Sequence, residues 1–292
     1  MQTKNALDLM KKQNRTIYKD KWNASVQTQP FSDVYLERVG HMVAIPTQFY
    51  TNLSARDNVC LQYVVKGYGD YFVNDKLYRL QPHTLWLIPK DAYYYYIPDK
   101  DNPYEYFWIH CNGAGMQSLL NMLGISEQNP VVYKNQNDYT LSLFSDLVTL
   151  CKTNDAPPYL LLSKLYALFH SLIEKQSNPA PSTFTNNYPA IDNAVAYLKA
   201  NFEKDIYLED LAKTANLEKV YFAKKFKMQT GLSPMQFLIQ FRIAHACRLL
   251  HTDLSLQEIA AQCGFFDFTN FLQRFKSVLG ITPTQYRKQL FF

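Results

Sequence analysis

The carboxyl-terminal third of the chain contains one pattern twice. Leu208, Leu211 and Ala212 are followed by Phe222, Phe226-Lys227, Gly231 and Pro234, and then Leu256, Ile259 and Ala260 by Phe271, Phe275-Lys276, Gly280 and Pro283. Leu211 and Ile259 are 48 positions apart, whereas Phe222 and Phe271 are 49 apart, so the second copy has one more residue between its two helices. Two copies are too few for a solenoid, which needs about three stacked units. A short helix, a tight turn and a second helix with an exposed polar face is the helix-turn-helix plan for entering a DNA major groove. A tandem pair suits two successive grooves on one side of a duplex, roughly 34 Å apart.

Helical periodicity places Leu208, Leu211, Ala212 and Ala215 on the inward stripe of the first supporting helix. The turn requires a left-handed backbone, which Gly264 accepts freely and Asn216, its counterpart, accepts best among the other residues. With Phe222 and Phe226 inward, a step of about 100° per residue puts Lys224 opposite them, flanked by Val220, Tyr221 and Lys227, with Ala223 on the same helix. With Phe271 and Phe275 inward, Gln273 points out beside Thr269, Asn270 and Lys276. Lys neutralises phosphate or reads guanine, Gln and Asn pair with adenine, and Thr bonds a base or touches a thymine methyl. These nine residues are the candidate DNA contacts.

The stretch from Gly264 to Lys276, continuing through Gly280-Ile281-Thr282-Pro283 to Tyr286-Arg287, resembles the signature of AraC/XylS-type transcriptional regulators. Phe226-Lys227, Gly231, Ser233-Pro234 and Phe237 support the resemblance in the first copy. It implies a seven-helix DNA-binding domain whose helices holding Val220 to Lys227 and Phe268 to Lys276 enter adjacent major grooves. Glu218 departs from the pattern, standing where the family usually has a Ser helix cap. An acid there repels phosphate but complements the helix dipole.

Charge follows the same division. Residues 185 to 292 carry 13 Lys+Arg against 9 Asp+Glu, and residues 1 to 184 carry 17 against 16, so +4 of the net +5 lies in the carboxyl-terminal part. So small an excess makes DNA binding depend on the placement of a few cations, weakening as salt rises. At 292 residues and 47% hydrophobic, the chain has material for two domains. No secretory signal or membrane-spanning run is expected, and five scattered cysteines without a Cys-x-x-Cys spacing imply reduced thiols in a cytoplasm.

The amino-terminal half reads as strands. Leu61 to Val65, Tyr71 to Val73, Thr84 to Ile88 and Tyr106 to His110 are separated by turn signals that include Asn74-Asp75, Gln81-Pro82 and Asp101-Asn102-Pro103. Regular short strands predict a small β-barrel or jelly roll. The stretch resembles the cupin-like effector domain attached to many regulators of this family, at Lys66-Gly67-x-Gly69, Leu87-Ile88-Pro89 and Trp108 to Gly113.

Seventeen of the 22 tyrosines precede residue 185, including the run Tyr93 to Tyr96. Alternation sets Tyr94 with Tyr96, and Tyr106 with Trp108 and His110. Aromatic faces with polar tips suit a saccharide, whose ring stacks while its hydroxyls seek partners. The resemblance implies that Tyr96 and Trp108 sit where sugar-responsive members contact their ligand, and Arg56 would add a charged donor. His41, His83 and His110 are isolated, with no His-x-His pair, phosphate loop or nucleophile elbow, so neither a metal, a cofactor nor catalysis is expected.

Leu141 to Cys151 and Tyr159 to Gln176 have helical spacing. In the second, Leu161, Leu165, Leu168 and Leu172 form one apolar stripe and Leu162, Tyr166, Phe169 and Ile173 another. One stripe suits the barrel and the other a second subunit, and the resemblance also implies dimerisation through helices after the barrel. The polar, proline-containing stretch after Gln176 reads as a linker. The expected architecture is therefore α+β: a cupin-like effector-binding and dimerisation domain over 1–176, a linker over 177–188, and an all-α domain with two helix-turn-helix motifs over 189–292. The function read from it is a cytoplasmic, homodimeric transcriptional regulator that binds double-stranded DNA and a small effector, a sugar, and activates carbohydrate-use genes, with RNA polymerase a further candidate partner. The alternative is a cupin-type carbohydrate-binding protein or enzyme with a helical interaction domain.

Overall fold

Alternating runs punctuated by turn residues become strands, and the computed structural model contains eleven of them in two sheets among its described residues. It describes residues 19–25, 33–44, 50–53, 58–90, 92–152, 156–173, 178–179 and 188–290. The strands are β1 (Lys19–Ser25), β2 (Tyr35–Val43), β3 (Tyr50–Leu53), β4 (Val59–Lys66), β5 (Gly69–Val73), β6 (Lys76–Leu80), β7 (Thr84–Ile88), β8 (Tyr93–Pro98), β9 (Glu105–Asn112), β10 (Val131–Tyr133) and β11 (Asn178–Pro179). The larger sheet has the order β1-β2-β9-β4-β7-β10-β11 and the smaller β3-β8-β5-β6, all named pairs being antiparallel. The sheets face each other as in a jelly roll without closing into a continuous barrel. Asn74 and Asp75 form the β5–β6 hairpin turn with φ of 49° and 61°, the double positive φ of a type I′ connection.

Each sheet is apolar on both faces, so three layers of side chains result. Met42, Val64, Tyr71, Trp86, Tyr94, Tyr96, Tyr106 and Trp108 lie between the sheets. The far face of the larger sheet, with Leu61, Tyr63, Phe107 and Ile109, packs under helices α1 (Met116–Leu123), α2 (Asp138–Lys152) and α3 (Pro158–Ile173). Phe144 of α2 stacks on Phe107 with centroids 5.1 Å apart and on Tyr63 at 5.4 Å. The first stripe of α3 is buried as expected. The second divides: Phe169, only 2% exposed, is covered within the same subunit because α2 packs beside α3, Leu162 and Ile173 are half-buried, and Tyr166 is exposed. The apolar surface left open on α3 is Tyr159 (82% exposed), Leu160 and Tyr166.

Among the described residues, seven helices make up the carboxyl-terminal domain: α4 (Pro189–Asn201), α5 (Leu208–Thr214), α6 (Lys219–Thr230), α7 (Pro234–Leu249), α8 (Leu256–Gln262), α9 (Phe268–Leu279) and α10 (Pro283–Leu290). Helix α7 belongs to both units, giving Phe237, Leu238 and Phe241 to the first core and Ile243, Ala246, Cys247 and Leu250, its last-turn neighbour, to the second. Ser233 and Ser255 open α7 and α8 with capping boxes closed by Gln236 and Glu258. The outer face of the smaller sheet is covered by this domain: Phe72, Leu77, Tyr93 and Tyr95 share one core with Leu198, Phe226, Phe237 and Phe241.

Within the stretch 177–188 read as a linker, Asn178 and Pro179 pair as β11 with Tyr133 and Val132, residues 180–187 lie outside the described set, and Tyr188 donates its backbone N–H to Gln229. All five cysteines are free and buried. No helix among the described residues is long and apolar enough to cross a membrane.

The one-residue difference between the repeats lies after the left-handed turn residue. Asn216 (φ 54°) precedes α6 by three positions and Gly264 (φ 74°) precedes α9 by four. A Cβ on Gly264 would stand 2.8 Å from the carbonyl oxygens of Phe202 and Glu203, whereas the Asn216 side chain is exposed. Gly264→Ala should therefore destabilise the fold by about 1–3 kcal/mol, combining a disfavoured φ with a backbone clash, whereas Asn216→Gly should change it by less than about 1 kcal/mol. Urea unfolding of the two variants checks this, and equal effects would refute the asymmetry.

Candidate functional site

Two surfaces carry functional groups. On α6, Phe222 and Phe226 are fully buried, and Val220, Tyr221, Lys224 and Lys227 are exposed, while Ala223 is half-buried at the margin. On α9, Phe271, Phe275 and Val278 are buried, and Thr269, Asn270, Gln273 and Lys276 are exposed. The polar faces thus lie opposite phenylalanine spines in both copies. Among the described residues no ion pair holds Lys224, Lys227 or Lys276. Lys225, by contrast, donates to the Tyr188 hydroxyl and lies 4.4 Å from the Tyr188 ring centroid and 5.2 Å from that of Tyr221, which withdraws it from the outer face and raises its pKa.

The Glu218 departure from a Ser cap is resolved by geometry. Its carboxylate accepts from the backbone N–H groups of Val220 at 2.9 Å and Tyr221 at 3.0 Å, the same service a Ser oxygen renders. These bonds stabilise the ionised form and hold its pKa below the usual carboxylate range. Asp267 caps α9 in the same manner, accepting from Thr269 at 2.8 Å. Arg274, which sequence reasoning missed, is exposed on α9 and donates to Asn270 Oδ1 at 3.3 Å. The (i, i+4) spacing was a usable signal. It brings a guanidinium onto the polar face and leaves the Asn270 amide N–H groups as its free recognition element.

The second surface is internal. Tyr94, Tyr96, Tyr106, Trp108 and His110, the expected effector residues, are brought together between the sheets, none more than 9% exposed. Tyr94 and Tyr96 lie 5.4 Å apart, Trp108 and His110 5.0 Å, and Tyr71 stands 5.3 Å from Tyr96. Arg56 lies outside the described residues. Burial raises the pKa of the Tyr71 and Tyr96 phenols far above their ordinary value, so both stay neutral. Two further residues join the group. Gln62 donates from Nε2 to the Tyr96 hydroxyl at 2.9 Å, and Trp86 packs 5.6 Å from Tyr106 and 6.2 Å from Tyr96. Strand alternation alone would have paired Gln62 with Val64 on the inward face, and an isolated Gln in an apolar strand was the available signal.

Gly40 explains how Trp108 lies. Gly40 pairs with Trp108 across β2 and β9, and a Cβ there would fall 2.4 Å from the indole ring. The indole is therefore laid flat across β2, a use of glycine within a strand for close approach. Among the described residues no group of His, Cys, Asp and Glu could hold a metal ion.

Two families match the chain: a helix-turn-helix domain over residues 211–289 and an AraC-like ligand binding domain over residues 42–169. The chain is 26% identical to the lactose operon transcription activator of Staphylococcus xylosus, over 87% of this chain and 92% of that one. It is 27% identical to the raffinose operon transcriptional regulatory protein of Pediococcus pentosaceus, over 86% and 92%. Among solved structures, the DNA-binding domain of the global transcriptional factor AdpA in complex with a target DNA is 32% identical. That likeness covers 34% of this chain and 91% of that one, with a TM-score of 0.33.

Gly40→Ala should displace the Trp108 ring. The expected result is a changed tryptophan emission spectrum with the far-ultraviolet circular dichroism retained, and an unchanged spectrum would show that the indole does not depend on Gly40.

Proposed function

Because this chain belongs to the AraC family of transcriptional regulators, we propose that it binds specific DNA sequences through α6 and α9 and controls carbohydrate-use genes in response to a saccharide held between its sheets. The observation that carries this reading is the pair of exposed polar helix faces, each opposite a buried phenylalanine spine and each started by a carboxylate cap. Lys224 and Lys227 supply phosphate or guanine contacts from α6, and Gln273, Asn270, Thr269 and Lys276 read the second groove, with Arg274 beside them. The similar proteins named for lactose and raffinose operons support a sugar as effector and, in the first case, activation. Membership of a regulator family points away from catalysis, and buried free thiols agree with a cytoplasmic setting.

Strand β8 connects the two functions. Its alternation sends Tyr94 and Tyr96 inward, toward the effector layer, and Tyr93 and Tyr95 outward, into the core shared with the DNA-binding domain. Tyr95 donates its hydroxyl proton to the Thr230 carbonyl at the last residue of α6. Tyr93 packs edge-on against Phe241 at 4.7 Å and Phe237 at 5.7 Å, and Lys199 of α4 pairs with Asp75 beside β5. A ligand that shifts β8 on one face therefore biases the seating of the first reading helix on the other, which is the differential contact a switch requires. The exposed Tyr159, Leu160 and Tyr166 of α3 supply the apolar face for a second copy, so that the regulator acts as a homodimer.

Two outcomes test this. With a target duplex selected from random sequence by the full chain, Gln273→Ala should weaken specific binding roughly 5- to 150-fold, about 1–3 kcal/mol, and relax preference in one half of the site. Lys224→Ala should weaken binding more evenly and flatten its salt dependence. Retained sequence preference in the double variant, measured by electrophoretic mobility shift, would overturn the assignment. Tyr95→Phe should leave saccharide affinity within about twofold while reducing the change in DNA affinity that the saccharide produces; an undiminished response would remove β8 from the coupling.

A further inference from the structure

Gln62, Trp86 and Trp108 stand in one row across three neighbouring strands. Gln62 of β4 is directly opposite Trp86 of β7 on one side and Trp108 of β9 on the other. Both indoles belong to the layer between the sheets, and the Gln62 amide reaches the Tyr96 hydroxyl across it. The three side chains are 5%, 0% and 9% exposed. Gln62 Oε1, Trp86 Nε1 and Trp108 Nε1 are nonetheless buried with no hydrogen-bond partner.

Buried polar atoms in folded proteins are paired in about nine cases of ten or more, because leaving one unpaired is destabilising. Three in a single row, one acceptor between two donors, call for a guest that supplies the complementary groups. A hydroxyl donates and accepts, so adjacent hydroxyls on one ring answer the row, while Tyr71, Tyr94, Tyr96 and Tyr106 supply aromatic surface in the same layer for its C–H groups. Among the described residues the buried part of this layer holds no Lys, Arg, Asp or Glu, and His110 is its one ionisable base; Arg38, opposite His110 on β2, is exposed. An anion held at the row would have no buried counter-charge among the described residues to offset its desolvation.

We infer that the Gln62–Trp86–Trp108 row is the deep anchoring subsite for an uncharged, hydroxylated ring, so that the effector is a free saccharide and not a sugar phosphate or sugar acid. This rests on the reading that the effector binds between the sheets, and it adds both the anchoring residues and the charge of the ligand.

The test uses the full chain carrying Trp22→Phe, which leaves Trp86 and Trp108 as its two tryptophans out of three. Galactose, lactose, melibiose, raffinose, galactose 6-phosphate and galacturonate are titrated by tryptophan emission and by calorimetry. A neutral sugar is expected to bind and to alter the emission, with its anionic counterparts at least about tenfold weaker. Gln62→Leu is expected to raise Kd about tenfold or more while the melting temperature of the unliganded protein changes by no more than a few degrees, since loss of the Gln62–Tyr96 hydrogen bond is offset by removal of an unpaired buried carbonyl. Tighter binding of an anionic sugar would overturn the neutral-ligand inference and leave the effector reading standing. A Gln62→Leu protein that melts lower by more than a few degrees or fails to fold, or that binds the sugar unchanged, would show that the row is structural. Binding by none of the six compounds would remove the effector reading itself, and the subsite with it.

Discussion

The four-stranded sheet β3-β8-β5-β6 cannot stand with either face in water. Tyr71, Val73, Tyr94 and Tyr96 lie on one side of it and Phe72, Leu77, Tyr93 and Tyr95 on the other. Burying each face at roughly 25 cal/mol per Å² of apolar area is the dominant stabilisation available to it. The larger sheet covers one side. The helix-turn-helix domain covers the other, through Phe237 set edge-on to Phe72 at 5.6 Å and to Tyr95 at 6.2 Å. What divides by sequence pattern into an effector half and a DNA-binding half is thus joined by a shared core.

Much of this was legible in the residues. The duplicated pattern located both helix-turn-helix units, including the extra residue of the second, because buried phenylalanines at (i, i+4) spacing and a left-handed turn residue are local requirements. The strands at Leu61 to Val65, Tyr71 to Val73, Thr84 to Ile88 and Tyr106 to His110 were visible from alternation, and parity set Tyr94 with Tyr96, and Tyr106 with Trp108 and His110, on common faces, while the choice of the inward face came from their aromatic chemistry and the family resemblance. Strands β1, β2, β3, β6, β10 and β11 were not identified, since their recognition depends on pairing with distant partners more than on their own alternation. The destination of Tyr93 and Tyr95 was equally illegible: parity says that they face away from Tyr94 and Tyr96, but not that another domain waits there. The second stripe of α3 was overestimated for a related reason, since Phe169 is taken up by the neighbouring helix α2.

Helices α6 and α9, the proposed reading helices, meet one fold requirement with the same chemistry. Each needs an acceptor for the first N–H groups of the helix, and Glu218 and Asp267 both provide it as carboxylates. Negative charge is thereby placed at the positive end of each helix dipole, where it is favourable, while the cations Lys224, Lys227 and Lys276 lie one or more turns along. A Ser in place of either acid would cap the helix without the charge, so the acids concentrate attraction for a polyanion on the middle of each helix.

Helix α7 gives side chains from one end to the first core and from the other to the second. The phase between the two reading heads is therefore set by a single rigid rod and not by a loop. On a duplex with 10–10.5 base pairs per turn, inserting one base pair between the two recognised segments rotates one against the other by about 35°. If α6 and α9 read DNA as proposed, their operator has no freedom in the length of its central spacer, whatever letters that spacer contains.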